Sequence, residues 1–247
     1  MAISIILVRP QMGENIGAAA RAMANFGLDD MRLVAPRDGW PNPKASDTAG
    51  KALDILDGVS VFENAAAAVA DCNFVLATTA RARAVNMPVF EVREAMQEVR
   101  ARIARGEKCA VLFGAERTGL ENEEVAIADA VVTIPVAPEY TSLNLGQAVV
   151  VVAHEWFSSA AHGGAAFARN PAMRSTVTAE SATKEELSGL FGQLETGLDD
   201  VNFWRVPEKK DGLWRLIRAS LTRAGMSGQE VAVWRGMLRA LIEGKRP

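Results

Sequence analysis

Across the first 160 residues, near-continuous apolar runs of strand length alternate with longer stretches whose apolar residues recur at helical spacing. The runs SIILV (4–8), MRLVA (31–35), NFVLAT (73–78), CAVLFG (109–114) and AVVTIP (130–135) lack polar alternation, as parallel strands covered on both faces do. Between them, residues 15–26, 46–56, 88–104, 122–128 and 145–159 predict helices, several opened by Asn, Ser or Pro. The alternation predicts an α/β domain over residues 1–158, a parallel sheet flanked by helices.

The pattern then breaks. Residues 159–182 are rich in Gly, Ser, Pro and other small residues and read as a linker. Beyond it, Thr183 and Glu186 form a capping-box pattern, followed by Leu187, Leu190, Phe191, Leu194 and Leu198 at helical spacing. Two further stripes follow, one of Leu213, Leu216, Ile217 and Leu221, the other of Trp234, Met237, Leu238, Leu241 and Ile242 behind a second box of Ser227 and Glu230. Residues 183–247 therefore predict a small all-α domain.

Composition refines this picture. The net charge of −3 conceals an asymmetry: residues 205–247 carry ten Lys or Arg against four acids, or +6, which leaves −9 for the rest. A basic tail on an acidic body suits a polyanionic partner, and equally a pair of solvated helices. No apolar run approaches the roughly 20 residues of a membrane span, and the N-terminus lacks the marks of a secretion signal, so a cytoplasmic protein is expected. Cys72 and Cys109 open apolar strand runs and read as small buried thiols. The two histidines, His154 and His162, have no Cys or carboxylate at ligand spacing, so no metal is expected. Without a G-x-S-x-G elbow, and with no His before residue 154, hydrolase chemistry has little support.

Three stretches place glycines and polar residues where strands end. In VRPQMGENIGAAARAMANFG, Gly13 and Gly17 permit close backbone approach, Asn15 can cap a helix, and Arg21 follows Gly17 by one turn. A phosphate site at a helix N-terminus and a capped helix with a surface arginine both fit. In VLFGAERTGLENEE, Gly114 ends a strand ahead of Glu116, Arg117, Thr118 and Gly119, but the spacing matches neither the dinucleotide fingerprint nor the phosphate loop. In APEYTSLNLGQAVVVVAHEW, Thr141, Ser142 and Asn144 either cap the next helix or present polar groups to a flat ligand.

Taken together, NIGAAARAMANFG, LFGAERTGL and IPVAPEYTSLNLGQAV, in that order, resemble the three motifs of the SPOUT superfamily of RNA methyltransferases, in its SpoU branch. FGQLETGL and RGMLRALI in the tail are similar to the C-terminal domain of the TrmJ branch, the tRNA ribose 2′-O-methyltransferases. The resemblance implies a sheet whose C-terminal segment forms a trefoil knot, an exception to the rule against knotted chains. It implies S-adenosyl-L-methionine as cofactor, held by Thr78, Thr79, Ala80, Gly114, Glu116, Ile134, Thr141, Ser142 and Leu143. Catalytic positions would be Arg21, Asn15, Ser142 and Asn144. It also implies a homodimer formed through this domain, no membrane partner, and a tRNA methylated on the ribose of cytidine or uridine at anticodon-loop position 32. The RNA would be held by Arg21, Arg117, Arg205, Lys209, Lys210, Arg215 and Arg218. Methylation of a ribosomal RNA ribose, or RNA binding without catalysis, are the alternatives.

Two roles follow from chemistry instead. A guanidinium does not readily surrender a proton, so Arg21 suits clamping a phosphate and stabilising a developing alkoxide better than general-base work. Glu116 suits holding loop geometry. Of Trp204, Trp214 and Trp234, all expected in a core, Trp204 is the best candidate for stacking on a base.

Overall fold

The computed structural model of the chain describes residues 3–79, 87–137, 139, 142–161 and 180–243. Seven strands pair in parallel: β1 (Ser4–Val8), β2 (Met31–Val34), β3 (Ser60–Phe62), β4 (Phe74–Thr78), β5 (Val89–Glu91), β6 (Cys109–Phe113) and β7 (Ala130–Thr133). Their order is β3-β2-β1-β6-β4-β7-β5. The later strands interleave with the earlier ones, β6 lying between β1 and β4, and β7 between β4 and β5.

Continuous apolar runs are what this sheet requires, because both faces are covered. Ile5, Leu7, Leu33, Leu76 and Val111 pack under α1 (Gly13–Asn25), α2 (Pro43–Ala49), α3 (Leu53–Asp57), α5 (Val92–Ile103) and α7 (Leu145–Ala161). The alternate residues Ile6, Val8, Val75, Ala77 and Leu112 pack against α4 (Ala65–Ala68) and α6 (Asn122–Ala126). Each fully buried Ile, Leu or Val contributes roughly 1.5–3 kcal/mol of apolar transfer, so moving any strand by one residue would exchange two complete cores. Both cysteines are free and buried, and burial pushes their thiols up to about 12.

The structure departs from the expected elements in three places. The helix expected over 46–56 is two: Asn42 caps α2, accepting from the Lys44 amide at 3.1 Å, and Gly50 at φ +62 ends it before α3. The helix expected over 88–104 begins only at Val92, because Val89–Glu91 pairs with β7 at the sheet edge. β3, the opposite edge, was not expected; its residues are mostly exposed, so no apolar run marks it.

After α7, which continues to Ala161, the described chain resumes at Glu180 and forms α8 (Lys184–Asp200), a short 3-10 turn, α9 (Lys210–Arg223) and α10 (Gly228–Glu243). Both capping boxes form: Thr183 with Glu186, and Ser227 with Glu230. The tail core is small, with Ala182, Leu187, Leu190, Phe191, Met226 and Val231 buried, while Leu213, Leu216, Trp234, Met237 and Leu241 of the two later stripes stand exposed. The tail is seated on the body by specific bonds. The Lys184 and Glu185 amides donate to the carbonyls of Cys72 and Ala70, Asn73 Nδ2 donates to the Ser181 carbonyl at 2.6 Å, and Lys184 Nζ reaches Asp129 at 2.7 Å.

Candidate functional site

The loops that follow β4, β6 and β7 leave the sheet at the carboxyl ends of the strands, where ligand sites of open parallel sheets form. With the start of α7 they enclose a cavity of about 560 Å³. Thr78, Thr79, Gly114, Glu116, Ile134, Ser142 and Leu143, all expected around a cofactor, line it together; Ala80 and Thr141 lie outside the described residues. The walls also include Phe113, Val132, Val136, Leu145 and Ala148, which the motifs did not single out because their apolar character reads as core.

The loop after β6 shapes the cavity. A Cβ at Gly114 would collide with the backbone of Gly119 and Leu120, so only glycine lets the loop fold back there. Gly119 takes φ +68 and its amide closes the turn onto the Ala115 carbonyl at 2.8 Å. Thr78 Oγ1 donates to the Leu112 carbonyl at 2.9 Å, and the Thr79 amide donates to the Val132 carbonyl at 3.1 Å, fixing the floor.

One hydrogen-bond network joins the three motif stretches. Glu116 accepts from the Gln11 amide at 2.9 Å and from Asn15 Nδ2 at 2.7 Å; Asn15 Oδ1 accepts from Asn144 Nδ2 at 2.9 Å; Asn144 Oδ1 accepts from the Gly146 amide at 2.9 Å. Asn144 thus caps α7, as one reading of its position expected. Asn15 does not cap α1: the N-cap is Met12, and Asn15 lies buried within the helix, where its amide bridges two loops. Glu116, with one donor on each carboxylate oxygen, is a brace for the loop.

Gly13 and Gly17 also have a different partner from a phosphate. A Cβ at Gly13 would strike Asn42, and one at Gly17 would strike the Ala45 carbonyl, so both glycines exist to let α2 lie close on α1. The close backbone approach expected of these glycines is met by helix packing. Arg21 stands on the exposed side of α1, apart from the cavity wall, and Ala18, three residues earlier, abuts Gly146 of α7. Arg117 is exposed on the cavity loop.

The cavity can be characterised chemically. Among the described residues that line it, Glu116 and Arg117 are the charged ones, and Glu116 accepts from two donors. Backbone groups, hydroxyls and the apolar Ile134, Val136 and Leu143 make up much of the rest, a surface for a ligand with a flat polar part and an apolar edge. Among the described residues, no cluster of three or more His, Cys, Asp or Glu is placed to hold a metal, and no helix is long and apolar enough to cross a membrane.

The tail cations differ among themselves. Arg205 and Lys209 are exposed. Lys210 is bound to Asp199 at 2.8 Å, which raises the ammonium's pKa and lowers the carboxyl's. Arg215 lies 3.8 Å from Glu123 of α6. Arg218 is half-buried over the Phe191 ring, its Nε without a partner, and burial lowers its pKa. Trp204 is not a stacking platform: it is buried, donates Nε1 to Asp199 at 2.6 Å and meets Phe203 and Trp214 edge-on. Its position in a loop between helices suggested exposure, but a ring this large fills the gap where α8 and α9 diverge, and Trp234 is the exposed one.

Comparison with known proteins places these features in context. A tRNA (cytidine/uridine/adenosine-2′-O-)-methyltransferase TrmJ of Pseudomonas aeruginosa is 35% identical over 240 residues, covering 96% of this chain and 92% of its own. The crystal structure of TrmJ from Z. mobilis ZM4 is similar at 43% identity and a TM-score of 0.86, covering 98% of this chain and 99% of that one. The SpoU methyltransferase AviRb from Streptomyces viridochromogenes, solved in complex with AdoMet, shares the fold at 16% identity and a TM-score of 0.52, over 65% of this chain and 58% of that one. Residues 2–154, the whole of the sheet and most of α7, match the model of the SpoU rRNA Methylase family, and the chain belongs to that family.

Proposed function

We propose that this chain transfers the methyl group of S-adenosyl-L-methionine to a ribose 2′-hydroxyl of tRNA. The observation that carries this reading is the cavity, which gathers at the carboxyl ends of β4, β6 and β7 every described residue expected around the methyl donor. That donor supplies a methyl group on a positively charged sulfonium, and a site of hydroxyls, backbone groups and apolar side chains suits its polar and apolar parts. Thr78, Thr79, Gly114, Ile134, Ser142 and Leu143 would hold it, with Glu116, Asn15 and Asn144 keeping the three loops in register. Orientation of the acceptor oxygen in line with the donor supplies several kcal/mol on the general scale of positioning effects. Arg21 clamps the neighbouring phosphate and stabilises the oxygen as its proton leaves to phosphate or water.

The tail selects the RNA class. The family model ends at residue 154, but the Pseudomonas relative matches through the tail as well, and its name specifies tRNA. Residues 1–158 act as the methyltransferase domain and 183–247 as the tRNA-binding domain, with exposed Arg205, Lys209 and Arg215 supplying phosphate contacts alongside Arg21 and Arg117. The interleaved order of β6 and β7 supports a knotted crossover, and the exposed Val150 and Phe157 on α7 support a homodimer through that helix.

The test is mass spectrometry of nuclease-digested transcript after incubation with the protein and S-adenosyl-L-methionine. One transcript is unmodified and one already 2′-O-methylated at position 32, each prepared with C, U or A there. A methyl gained only on the unblocked transcript is the expected result. Gain on ribosomal RNA alone would move the substrate class, and gain on neither would remove the catalytic reading.

A further inference from the structure

Arg9, at the end of β1, takes a left-handed φ of +49, a conformation that a non-glycine residue keeps only where its surroundings fix it. Its amide donates to the Val34 carbonyl at 2.8 Å. Its guanidinium reaches the beginning of α6, meeting both oxygens of Glu124, one of them at 3.1 Å, and Glu121 at 3.2 Å. Glu124 is 8% exposed and also accepts from the Glu121 amide at 2.6 Å, so the arginine and the helix cap share one carboxylate.

This contact bears on the cavity. The loop from Gly114 to Leu120 lines it, starting at β6 and ending at the α6 cap. Residue 11 holds the middle of that loop, its amide on Glu116, and residue 9 holds the far end, its guanidinium on Glu121 and Glu124. The few residues between β1 and α1 therefore form a two-point clip on the cavity loop. Between the two points the Gly119 amide closes the turn onto the Ala115 carbonyl at 2.8 Å and Leu120 is buried, so the clip fixes where a folded turn stands against the cavity.

We infer that Arg9 is a positioning residue for methyl-donor binding: through Glu124 and Glu121 it sets where α6 begins and so holds the cavity loop in its binding shape. The inference rests on the donor reading of the cavity. Arg9 is not among the residues lining the cavity; its effect falls on donor affinity and leaves turnover at saturating donor nearly unchanged.

Calorimetric titration with S-adenosyl-L-methionine, thermal melting and donor-dependent kinetics on the full chain test it with three variants. Arg9→Met should lower the melting temperature, because Glu124 is left buried and charged, and raise the donor Kd about tenfold, with kcat changed by less than about twofold. Arg9→Lys, with one ammonium in place of a fork, should fall between. In Arg9→Met/Glu124→Gln no buried charge remains and the amide oxygen can still accept from the Glu121 amide, so melting should recover while the Kd stays raised. Recovery of both in the double variant, or an unchanged Kd in Arg9→Met, would show a purely structural ion pair and overturn the inference alone. A wild-type protein that binds no donor would overturn the donor reading together with it.

Discussion

The body and the tail of this chain use polar groups in opposite ways. Around the cavity the polar side chains are spent on one another: Glu116, Asn15 and Asn144 form a continuous chain of bonds, and Arg9 is locked to the α6 cap. In the tail a six-residue core leaves much of α9 and α10 open, with exposed leucines beside exposed arginines. A site that must hold a small ligand and align a reaction needs its geometry settled before the ligand arrives. A surface that meets a long polyanion needs only charges that can reach it. The difference suggests that chemistry should respond sharply to changes in the body and affinity more gently to changes in the tail.

The sharpest test of that division is Arg21. Its replacement by Ala should cost about 10²–10³-fold in methyl transfer, with the unfolding free energy changed by less than about 0.5 kcal/mol because the side chain is exposed. Arg21→Lys should keep part of the rate. Equal and complete loss in both would assign the effect to the guanidinium fork itself, and a stable, fully active Arg21→Ala would end the division between the two regions.

The joint comes next. Lys184 is 8% exposed, and its ammonium answers Asp129, which also accepts from the Val75 amide at 2.7 Å. Lys184→Met leaves that carboxylate with one partner fewer, and chemical denaturation should show a loss of about 2 kcal/mol. An unchanged midpoint would mean that the backbone bonds from Lys184 and Glu185 seat the tail unaided.

Within the tail, Arg215 and Arg218 make a matched pair. Arg215 is exposed, so Arg215→Gln should weaken RNA binding across sequences and reduce the slope of log affinity against log salt by about 1. Arg218 is half-buried over Phe191, so Arg218→Gln should move melting more than the salt slope. Equal slopes for the two variants would show that RNA reopens the packing around Arg218.

Much of the body was legible because its strands are buried on both faces, and burial of that kind writes itself as uninterrupted apolar runs such as CAVLFG. The edge strands β3 and β5 were not, since Val61 and Val89 are exposed and nothing in their spacing separates them from loops or helix starts. Helix ends were legible where a side chain caps, as at Thr183 and Ser227, and misread at Asn15, whose buried bridge depends on residues more than a hundred positions away. The motif residues around the cavity were found together by resemblance. What the glycines of α1 are for was not, because a helix partner and a phosphate make the same demand on a glycine. Arg9 left no trace in the pattern at all: its partners lie on α6, reached only through the fold.

The smallest expected effect lies where body and tail meet, and it depends on pH. Asp71 sits between Ala70 and Cys72, the two residues whose carbonyls receive the tail amides. Its carboxylate is held by Arg32 at 2.6 Å and by Lys108 at 3.1 Å, and the Arg32 hydrogen bond, more than any other cause, keeps it well below the ordinary carboxylate range. A carboxyl depressed by folding stabilises the native state above its unfolded pKa of about 3.9. That contribution is lost as pH falls through the folded value, because the unfolded chain takes up the proton first. With the side chain 43% exposed, water screens the pair and the stabilisation is about 1 kcal/mol. Asp71→Asn should therefore be less stable than the wild type at pH 7, and the gap should narrow steadily as the denaturation series is carried below about pH 4. A gap that stayed constant through that range would assign the loss to packing under the tail, and would remove charge from the account of how the tail is seated.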